Sequence, residues 1–188
     1  LLAKGIQPMA TLHHFTHPLW WDEKGGFEKE DNVDDWVRFC VKMFEALSDR
    51  VDWWCTINEP AVFASMGYVL GEVPPGERSF KKTRIVSTNL MIAHARCYQT
   101  LKSMTHGKRA HIGLVKNINL FDPYRRWNPL HRFQARLLDG MFNLCWIKGL
   151  MTGRFKAPSA LRSKKIPGLK GSSDFIGVDC YYFIMGNC

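Results

Sequence analysis

Four short apolar runs, separated by longer amphipathic segments, limit most strongly how this chain can fold. Each run has the length of a β-strand and ends in polar or aromatic residues. The runs occupy residues 6–12, 51–57, 111–116 and 174–178. Strands that alternate with helices in this way are typical of a parallel sheet built from βα units. The pattern therefore predicts an α/β fold, with no linker or internal repeat to divide it.

Three of the intervening segments have the periodicity of amphipathic helices. Apolar residues recur at helical spacing over 33–47, directly after Asp31 and Asn32, either of which can cap a helix. A second helix is predicted over 83–103. The third is predicted over 129–147, because it begins with a proline, which is favoured at the first helical position. Its apolar face would consist of Phe133, Leu137, Met141, Leu144 and Cys145.

The spacing of the apolar runs indicates the size of the complete fold. Successive runs lie about 56 residues apart, so the eight units of a (β/α)8 barrel would need roughly 450 residues. The 188 residues of this chain hold about half of that. A half barrel would leave two sheet edges open, which natural proteins avoid. We therefore expect residues 1–188 to form one partial (β/α)8 (TIM) barrel domain that is truncated at both ends.

Composition and charge argue against several classes of partner. The net charge is +9, but the basic residues are scattered, and the densest group (Arg162, Lys164 and Lys165) lies in a Ser/Gly-rich stretch. This arrangement favours a solvated surface over a nucleic-acid site. No apolar run approaches the roughly 18 residues that are needed to span a bilayer. The sequence therefore predicts neither a nucleic-acid nor a membrane partner.

The cysteines provide the only indication of the cellular compartment. Most of them lie in apolar surroundings and no Cys-x-x-Cys pair occurs, so they resemble buried free thiols. Free thiols favour a reducing compartment, and we expect a cytoplasmic protein. The six cysteines are Cys40, Cys55, Cys97, Cys145, Cys180 and Cys188.

The carboxyl end of the second run carries the residues best suited to chemistry. Asn58, Glu59 and Pro60 follow each other there, and functional residues of (β/α)8 barrels cluster at the C-terminal ends of strands. A carboxyl group can protonate a departing glycosidic oxygen if apolar surroundings or a nearby carboxylate raise its pKa. The neighbouring amide can hold a sugar hydroxyl. Alone, the three-residue string also fits a helix-entry turn with a solvated glutamate.

The surroundings of this motif resemble glycoside hydrolase family 1, the family of β-glucosidases and 6-phospho-β-glucosidases. Residues 49–60 (Asp-Arg-Val-Asp-Trp-Trp-Cys-Thr-Ile-Asn-Glu-Pro) resemble the family's acid/base segment. Residues 11–20 resemble the segment after its third strand, and 174–178 resemble its sixth strand. The resemblance implies a (β/α)8 barrel of which this chain covers roughly strands 3 to 6. Further matches in the same order are Gly25-Gly26-Phe27, Gly67-Tyr68, Pro74-Pro75-Gly76 and the helical segment 89–95.

The resemblance also implies roles for individual residues. Glu59 would be the general acid/base of a retaining β-glycoside hydrolase, Asn58 would hold the 2-hydroxyl of the sugar, and His14 would hydrogen-bond the glycone. The family's nucleophile is a glutamate in a Thr-Glu-Asn-Gly motif, and no such string occurs in this chain. The nucleophile is therefore expected outside it, and the 188-residue chain alone is expected to be inactive.

Other residues depart from the family pattern or match it less directly. Phe15 stands where the family usually has tryptophan, so it either shapes a sugar subsite or belongs to the core. Tyr181 matches the tyrosine that hydrogen-bonds the nucleophile, and Tyr182 would replace it if the register slipped by one. In the same register Asp179 replaces an asparagine and Cys180 replaces a tyrosine. A carboxyl group at this position could raise the pKa of a neighbour or weaken sugar binding.

The histidines of this chain do not have the pattern of a metal site. His13, His14 and His17 follow a strand into a loop without the spacing of a metal site, so neither a metal nor another cofactor is predicted. His94 lies on the second predicted helix, far from the strand ends, and is expected to form internal hydrogen bonds.

The sequence thus predicts an enzyme that hydrolyses a small-molecule sugar substrate of the β-glucoside type. The alternative is a catalytically inactive family member that binds glycans or partner proteins. The departures at Asp179 and Cys180, and the nucleophile outside the chain, leave this alternative open.

Overall fold

The computed structural model describes residues 1–181 and the backbone of residues 183–186. Four parallel strands form its central sheet in the order β1-β2-β3-β7, and two short two-stranded sheets pair β4 with β8 and β5 with β6. The strands are β1 Met9–His13, β2 Trp53–Asn58, β3 His111–Asn117, β4 Leu120–Pro123, β5 Arg154–Phe155, β6 Lys164–Lys165, β7 Phe175–Asp179 and β8 Phe183–Gly186.

Six α-helices connect these strands. A π-helical turn follows the third of them, and another separates the fifth from the sixth. The helices are α1 Leu19–Glu23, α2 Val33–Leu47, α3 Pro60–Ser65, α4 Phe80–Ser103, α5 Pro129–Asp139 and α6 Cys145–Thr152, with π-turns at Met66–Leu70 and Gly140–Leu144 and 3₁₀ turns at Leu2–Lys4, Gly26–Glu28 and Glu30–Asn32.

The four apolar runs form four adjacent parallel strands, as the sequence predicts. Their connections carry helices, which is the arrangement of successive βα units. Helices α2 and α4 pack against each other and cover one face of the sheet. On that face the indole of Trp54 is fully buried, and its ring centroid lies 4.9 Å from that of Phe44 in α2. The other face of β2 carries Trp53, which stacks on His111 of β3.

The first two predicted helices are found close to their expected bounds, but the cap of the first is different. Asn32 precedes α2, yet its side chain makes no cap hydrogen bond. Its amide instead donates to the carbonyl oxygens of Lys24 and Gly26, 3.2 Å away in each case. Asn32 therefore holds the preceding loop against the helix, while Asp34 and Asp35 in the first turn remain favourably placed for the helix dipole.

The third predicted helix is not a single buried helix. It consists of α5, a π-turn and α6, and it ends at Thr152 rather than near Ile147. Phe133 and Leu137, which belong to its predicted apolar face, are 62% and 48% exposed. The apolar face of α5 is therefore largely exposed, because no described element packs over these side chains.

The internal hydrogen bonds of α4 agree with the sequence-based expectation. His94 is fully buried, and its two ring nitrogens contact the hydroxyls of Thr56 in β2 (2.7 Å) and Ser173 just before β7 (3.2 Å). Asn89 donates to the carbonyl of Phe27 at 2.8 Å. These bonds fix α4 across the sheet, so they align the strands whose ends carry the candidate site.

The cysteines of the described residues are free thiols. Cys40, Cys55 and Cys97 are buried, Cys145 is half-buried and Cys180 is exposed; Cys188 lies outside the described residues. Within the same part of the chain, no helix combines the length and the apolar character that crossing a membrane requires.

Candidate active site

The carboxyl ends of the parallel strands bring the candidate residues to one edge of the sheet. His13 is paired with Ile57 in the β1–β2 register, so His14 and Glu59 both follow their strands at the same end. Asn117, the last residue of β3, is paired with Asp179, the last residue of β7. The edge thus carries polar groups from all four strands, which is where (β/α)8 barrels place their functional residues.

The backbone of Glu59 is held in an uncommon conformation between β2 and α3. Its φ and ψ are 44° and 58°, in the left-handed region that non-glycine residues rarely adopt. The Glu59 amide donates to the carbonyl of Val115 in β3 at 2.8 Å, and its own carbonyl accepts from Val62 and Phe63. Pro60 then begins α3 with a φ suited to a first helical residue. Such conformations persist where surrounding bonds enforce them, and they concentrate at functional sites.

The side chain of Glu59 is buried and has one identified donor. The residue is 6% exposed, and the amide of Asn117 donates to its Oε1 at 3.0 Å. Burial raises the pKa of Glu59 above its ordinary value, and the nearby Asp179 carboxyl raises it further. The Asn117 hydrogen bond and the more distant Lys116 ammonium oppose this rise in pKa. The balance favours a protonated carboxyl group at higher pH than for a solvated glutamate.

Lys116 supports the site from the opposite face of the sheet. Its side chain is almost fully buried, and its ammonium lies 4.2 Å from the ring centroid of Phe142 and donates to the carbonyl of Asn117. Burial lowers the pKa of Lys116 to about 8, although Cys145, Glu59 and Asp139 act in the other direction. The lysine thus fixes the backbone of the residue whose amide contacts Glu59.

The structure places the other predicted site residues at the same edge, in different environments. Asn58 is buried beside Glu59, whereas His14 is exposed and its ring centroid lies 5.2 Å from that of Phe15. Phe15 is half-buried against the core with a positive φ of 67°, so it borders both the core and the site. Tyr181 is exposed, two residues beyond β7. Tyr182, the alternative to Tyr181, lies outside the described residues.

Comparison with known proteins decides the family. A sequence model described as glycosyl hydrolase family 1 matches residues 1–185. The chain belongs to glycosyl hydrolase family 1. A 6-phospho-beta-galactosidase of Lacticaseibacillus casei is 34% identical over 165 residues, which cover 87% of this chain and 34% of that protein. Beta-glucosidase 26 (peroxisomal) of Arabidopsis thaliana is 31% identical over 208 aligned positions, and the alignment covers 96% of this chain and 36% of that protein.

A solved structure extends the comparison to three dimensions. A beta-glycosidase from Pyrococcus horikoshii superposes with a TM-score of 0.86 at 36% identity, covering 96% of this chain and 40% of that one. The chain therefore spans roughly a third to two fifths of the proteins that it matches. Its four-stranded parallel sheet is part of the (β/α)8 barrel of family 1, which confirms the predicted fold class.

Asn117 is a candidate site residue of this family member that the sequence interpretation missed. The third apolar run is predicted to end at Lys116, and the pattern assigns no role to the next residue. The available signal was positional: an amide side chain directly after a buried run occupies the same place as Asn58 after the second run. Its contact with Glu59 depends on the β2–β3 register, which shifts between Cys55 and Asn58. A sequence pattern does not reveal that irregularity.

His13 lies in a different environment from His14. It is buried between Phe27 and Phe63, with ring centroids 5.1 Å away in both cases. Burial lowers the pKa of His13 to about 3, with His17 and His14 adding to this effect. His17 contacts Asp22 instead, at 3.0 Å. Among the described residues, no three His, Cys, Asp or Glu side chains are grouped as a metal site would require.

Proposed function

We propose that the complete protein is a retaining β-glycoside hydrolase that acts on β-glucoside-like substrates, with Glu59 as its general acid/base. The observation that carries the proposal is the environment of Glu59: a buried carboxyl at a strand end, in an enforced left-handed conformation and with a raised pKa. A general acid must be protonated near neutral pH, and burial is the ordinary means of achieving this. Family membership supports glycoside cleavage as the reaction.

The proposed reaction has two steps that use the same carboxyl group. In the first, Glu59 gives its proton to the glycosidic oxygen while a carboxylate attacks the anomeric carbon and the aglycone departs. In the second, ionised Glu59 takes a proton from water, which displaces the enzyme carboxylate from the sugar. Asn58 and His14 would hold sugar hydroxyls during both steps, Tyr181 would hydrogen-bond the nucleophile, and Phe15 would border the sugar subsite.

Asp179 does not fit the role of the nucleophile. Retaining enzymes hold their two carboxyl groups about 5–5.5 Å apart, so that the anomeric carbon fits between them. Asp179 is the register partner of Asn117, whose amide contacts Glu59, and it acts directly on the pKa of Glu59, so it lies beside the acid rather than across a sugar carbon from it. We therefore place the nucleophile outside this chain.

The relatives carry two kinds of name, β-glucosidase and 6-phospho-beta-galactosidase. A direct comparison of nitrophenyl β-glucoside with its 6-phosphate, using the complete protein, tests the proposed preference. We expect the higher kcat/KM with the unphosphorylated glucoside. A preference for the phosphorylated sugar would contradict the substrate class and leave the role of Glu59 intact.

The role of Glu59 is tested in the complete protein with Glu59→Gln. Glutamine keeps the size but cannot donate the proton, and loss of general acid/base help typically costs about 10²–10⁴-fold. The variant should therefore lose nearly all activity on a disaccharide. The dinitrophenolate of a dinitrophenyl glycoside departs with little protonation, so the glycosyl-enzyme should still form and should accumulate. Azide should then accelerate turnover, because an anionic nucleophile needs no general base.

Glu72→Gln is the matched control, because Glu72 is exposed on the loop before α4. This variant should have the wild-type activity on both substrates and the wild-type response to azide. Equal losses on both substrates without azide rescue would mean that Glu59 is not the acid/base. A complete wild-type protein that binds glycans but cleaves none would instead favour the inactive family member.

A further inference from the structure

Three polar side chains from three adjacent strands meet at the carboxyl edge of the sheet. Glu59 follows β2, Asn117 ends β3 and Asp179 ends β7. Asp179 is fixed there by its pairing with Asn117 and by the Ile118 amide, which donates to the Asp179 carbonyl at 2.8 Å. Asn117 in turn contacts Glu59 at 3.0 Å, so this pairing brings the Asp179 carboxyl beside Glu59, where its charge and a side-chain hydrogen bond raise the pKa of the glutamate. The proposed function gives this second carboxyl group no role, since Asp179 is neither the acid/base nor the nucleophile.

Two carboxyl groups in this contact need a proton between them. An ionised carboxylate only accepts hydrogen bonds, so two carboxylates repel each other, whereas a protonated carboxyl group can donate to an ionised one. The amide of Asn117 already donates to Oε1 of Glu59, and the Lys116 ammonium donates to the Asn117 carbonyl instead of bridging the two acids. Both of these donors are engaged elsewhere, and a proton shared by the two carboxyl groups can hold the contact between Glu59 and Asp179.

The remaining charged groups around the pair come from the neighbouring elements. On β2, the buried thiol of Cys55 lies close enough to sense the Asp179 charge, and burial raises the pKa of that thiol to about 11, so it stays neutral. On β3, Lys116 faces the opposite side of the sheet. The end of β1 carries His13 and His14, on the far side of β2 from β7. Helix α3, which follows Glu59, contains no titratable side chain.

We propose that Glu59 and Asp179 form a carboxyl pair that holds a single proton, and that Asp179 is a positioning residue that keeps Glu59 in its acid form until the glycosidic oxygen arrives. This inference rests on the proposed function, because it assigns Asp179 to the acid/base step. The proton leaves the pair when Glu59 protonates the aglycone oxygen. It returns when Glu59 deprotonates the incoming water, so the pair is restored at the end of each cycle.

The test is the pH profile of kcat/KM for the complete protein with Asp179→Asn. Asparagine keeps the shape of the side chain but removes the negative charge that opposes ionisation of Glu59. The alkaline limb of the profile reports loss of the acid form, so it should move to lower pH by at least about 1 pH unit. The acid limb, which reports the nucleophile, should stay in place. Asp122→Asn, on β4 and half-exposed, is the matched control and should move neither limb.

An alkaline limb that stays within about 0.3 pH units of the wild type in Asp179→Asn would overturn the proposal. Infrared difference spectra, wild type minus Glu59→Gln at neutral pH, test it without altering Asp179. One protonated-carboxyl band that disappears with Glu59 is expected, and its absence would also overturn the pair. Azide rescue of Glu59→Gln distinguishes failure of the carboxyl pair from failure of the acid/base role. Rescue together with an unmoved alkaline limb in Asp179→Asn would contradict only the carboxyl pair. No rescue would contradict the acid/base role of Glu59.

Discussion

Glu59 combines three local features that a solvated glutamate lacks: burial, a left-handed backbone and a hydrogen bond from a residue on the next strand. Each has a separate cause. The β2–β3 contact through the Val115 carbonyl holds the backbone, Asn117 directs the carboxyl group, and Asp179 supplies a repelling charge. The charge and the hydrogen bond act on the pKa in opposite directions, so the two neighbours together would set the pH range of the acid.

Asn117 should shift the pH profile in the direction opposite to Asp179. Its amide stabilises the ionised form of Glu59, so Asn117→Ala in the complete protein should raise the pKa of Glu59. Hydrogen bonds to charged groups contribute about 1.5–3 kcal/mol, which corresponds to an upward shift of the alkaline limb by about 1–2 pH units. Asn119→Ala, two residues further along the chain, is the control. A downward shift in Asn117→Ala would show that the amide does not stabilise the carboxylate.

At the residue scale, the strand register agrees with the predicted positions of the site residues, whereas their roles stay predictions. Glu59, Asn58 and His14 were placed at one edge because parallel strands end together. Asn117 was missed because its contact depends on a register shift. Alternation also could not tell which of Trp53 and Trp54 faces the helices, since both are large and apolar. Their partners, Phe44 of α2 and His111 of β3, lie on other elements, so alternation within β2 contains no information on them.

At the scale of elements, the close contact of β3 with β7 positions Asn117 next to Asp179. A Cβ added at Gly113 would lie 2.3 Å from the backbone oxygen of Phe175, so the two strands approach each other over a residue without a side chain. Short apolar runs predicted both strands, but they contained no information on this spacing. The exposure of α5 was equally hidden, because periodicity shows which face is apolar and not whether another element covers it.

Gly113→Ala should destabilise the complete protein by at least about 2 kcal/mol, because the contact is with backbone that cannot move aside cheaply. Urea unfolding followed by circular dichroism measures this loss. Gly140→Ala is the matched control: its φ of −58° is helical and no atom lies within 4 Å of the added Cβ. It should be neutral or stabilising by about 0.5–1 kcal/mol. Equal effects of the two changes would contradict the close contact between β3 and β7.

At the scale of the whole molecule, two buried histidines couple the fold to pH. Burial lowers the pKa of His94 to about 4 and that of His13 to about 3, so both are neutral in the folded state. His94 is satisfied by hydroxyls from two segments of the sheet. The ring nitrogens of His13 have no hydrogen-bond partner among the described residues, and aromatic rings surround it. Both groups therefore favour unfolding when they are protonated.

The complete protein should lose stability as the pH falls below about 6.5, the pKa of an unfolded histidine. Between that pH and the folded-state pKa values near 4 and 3, the unfolded state binds more protons than the folded state. Each histidine therefore lowers the free energy of unfolding by roughly 1 kcal/mol for each unit by which the pH falls. Above about pH 6.5 both histidines are neutral in the folded and in the unfolded state, so neither lowers the stability. Urea midpoints at pH 5, 6 and 7 measure this slope, and other groups add the same background to every variant.

Changing His13 to phenylalanine should reduce the slope by the share of one histidine and raise stability at pH 5. A phenyl ring suits the pocket between Phe27 and Phe63, and it removes two ring nitrogens that lack partners. His131→Phe makes the same chemical change on the half-exposed surface of α5, so it should leave the slope unchanged. If both variants keep the wild-type slope, protonation of His13 does not contribute to acid unfolding. The burial of His13 then acts only through packing.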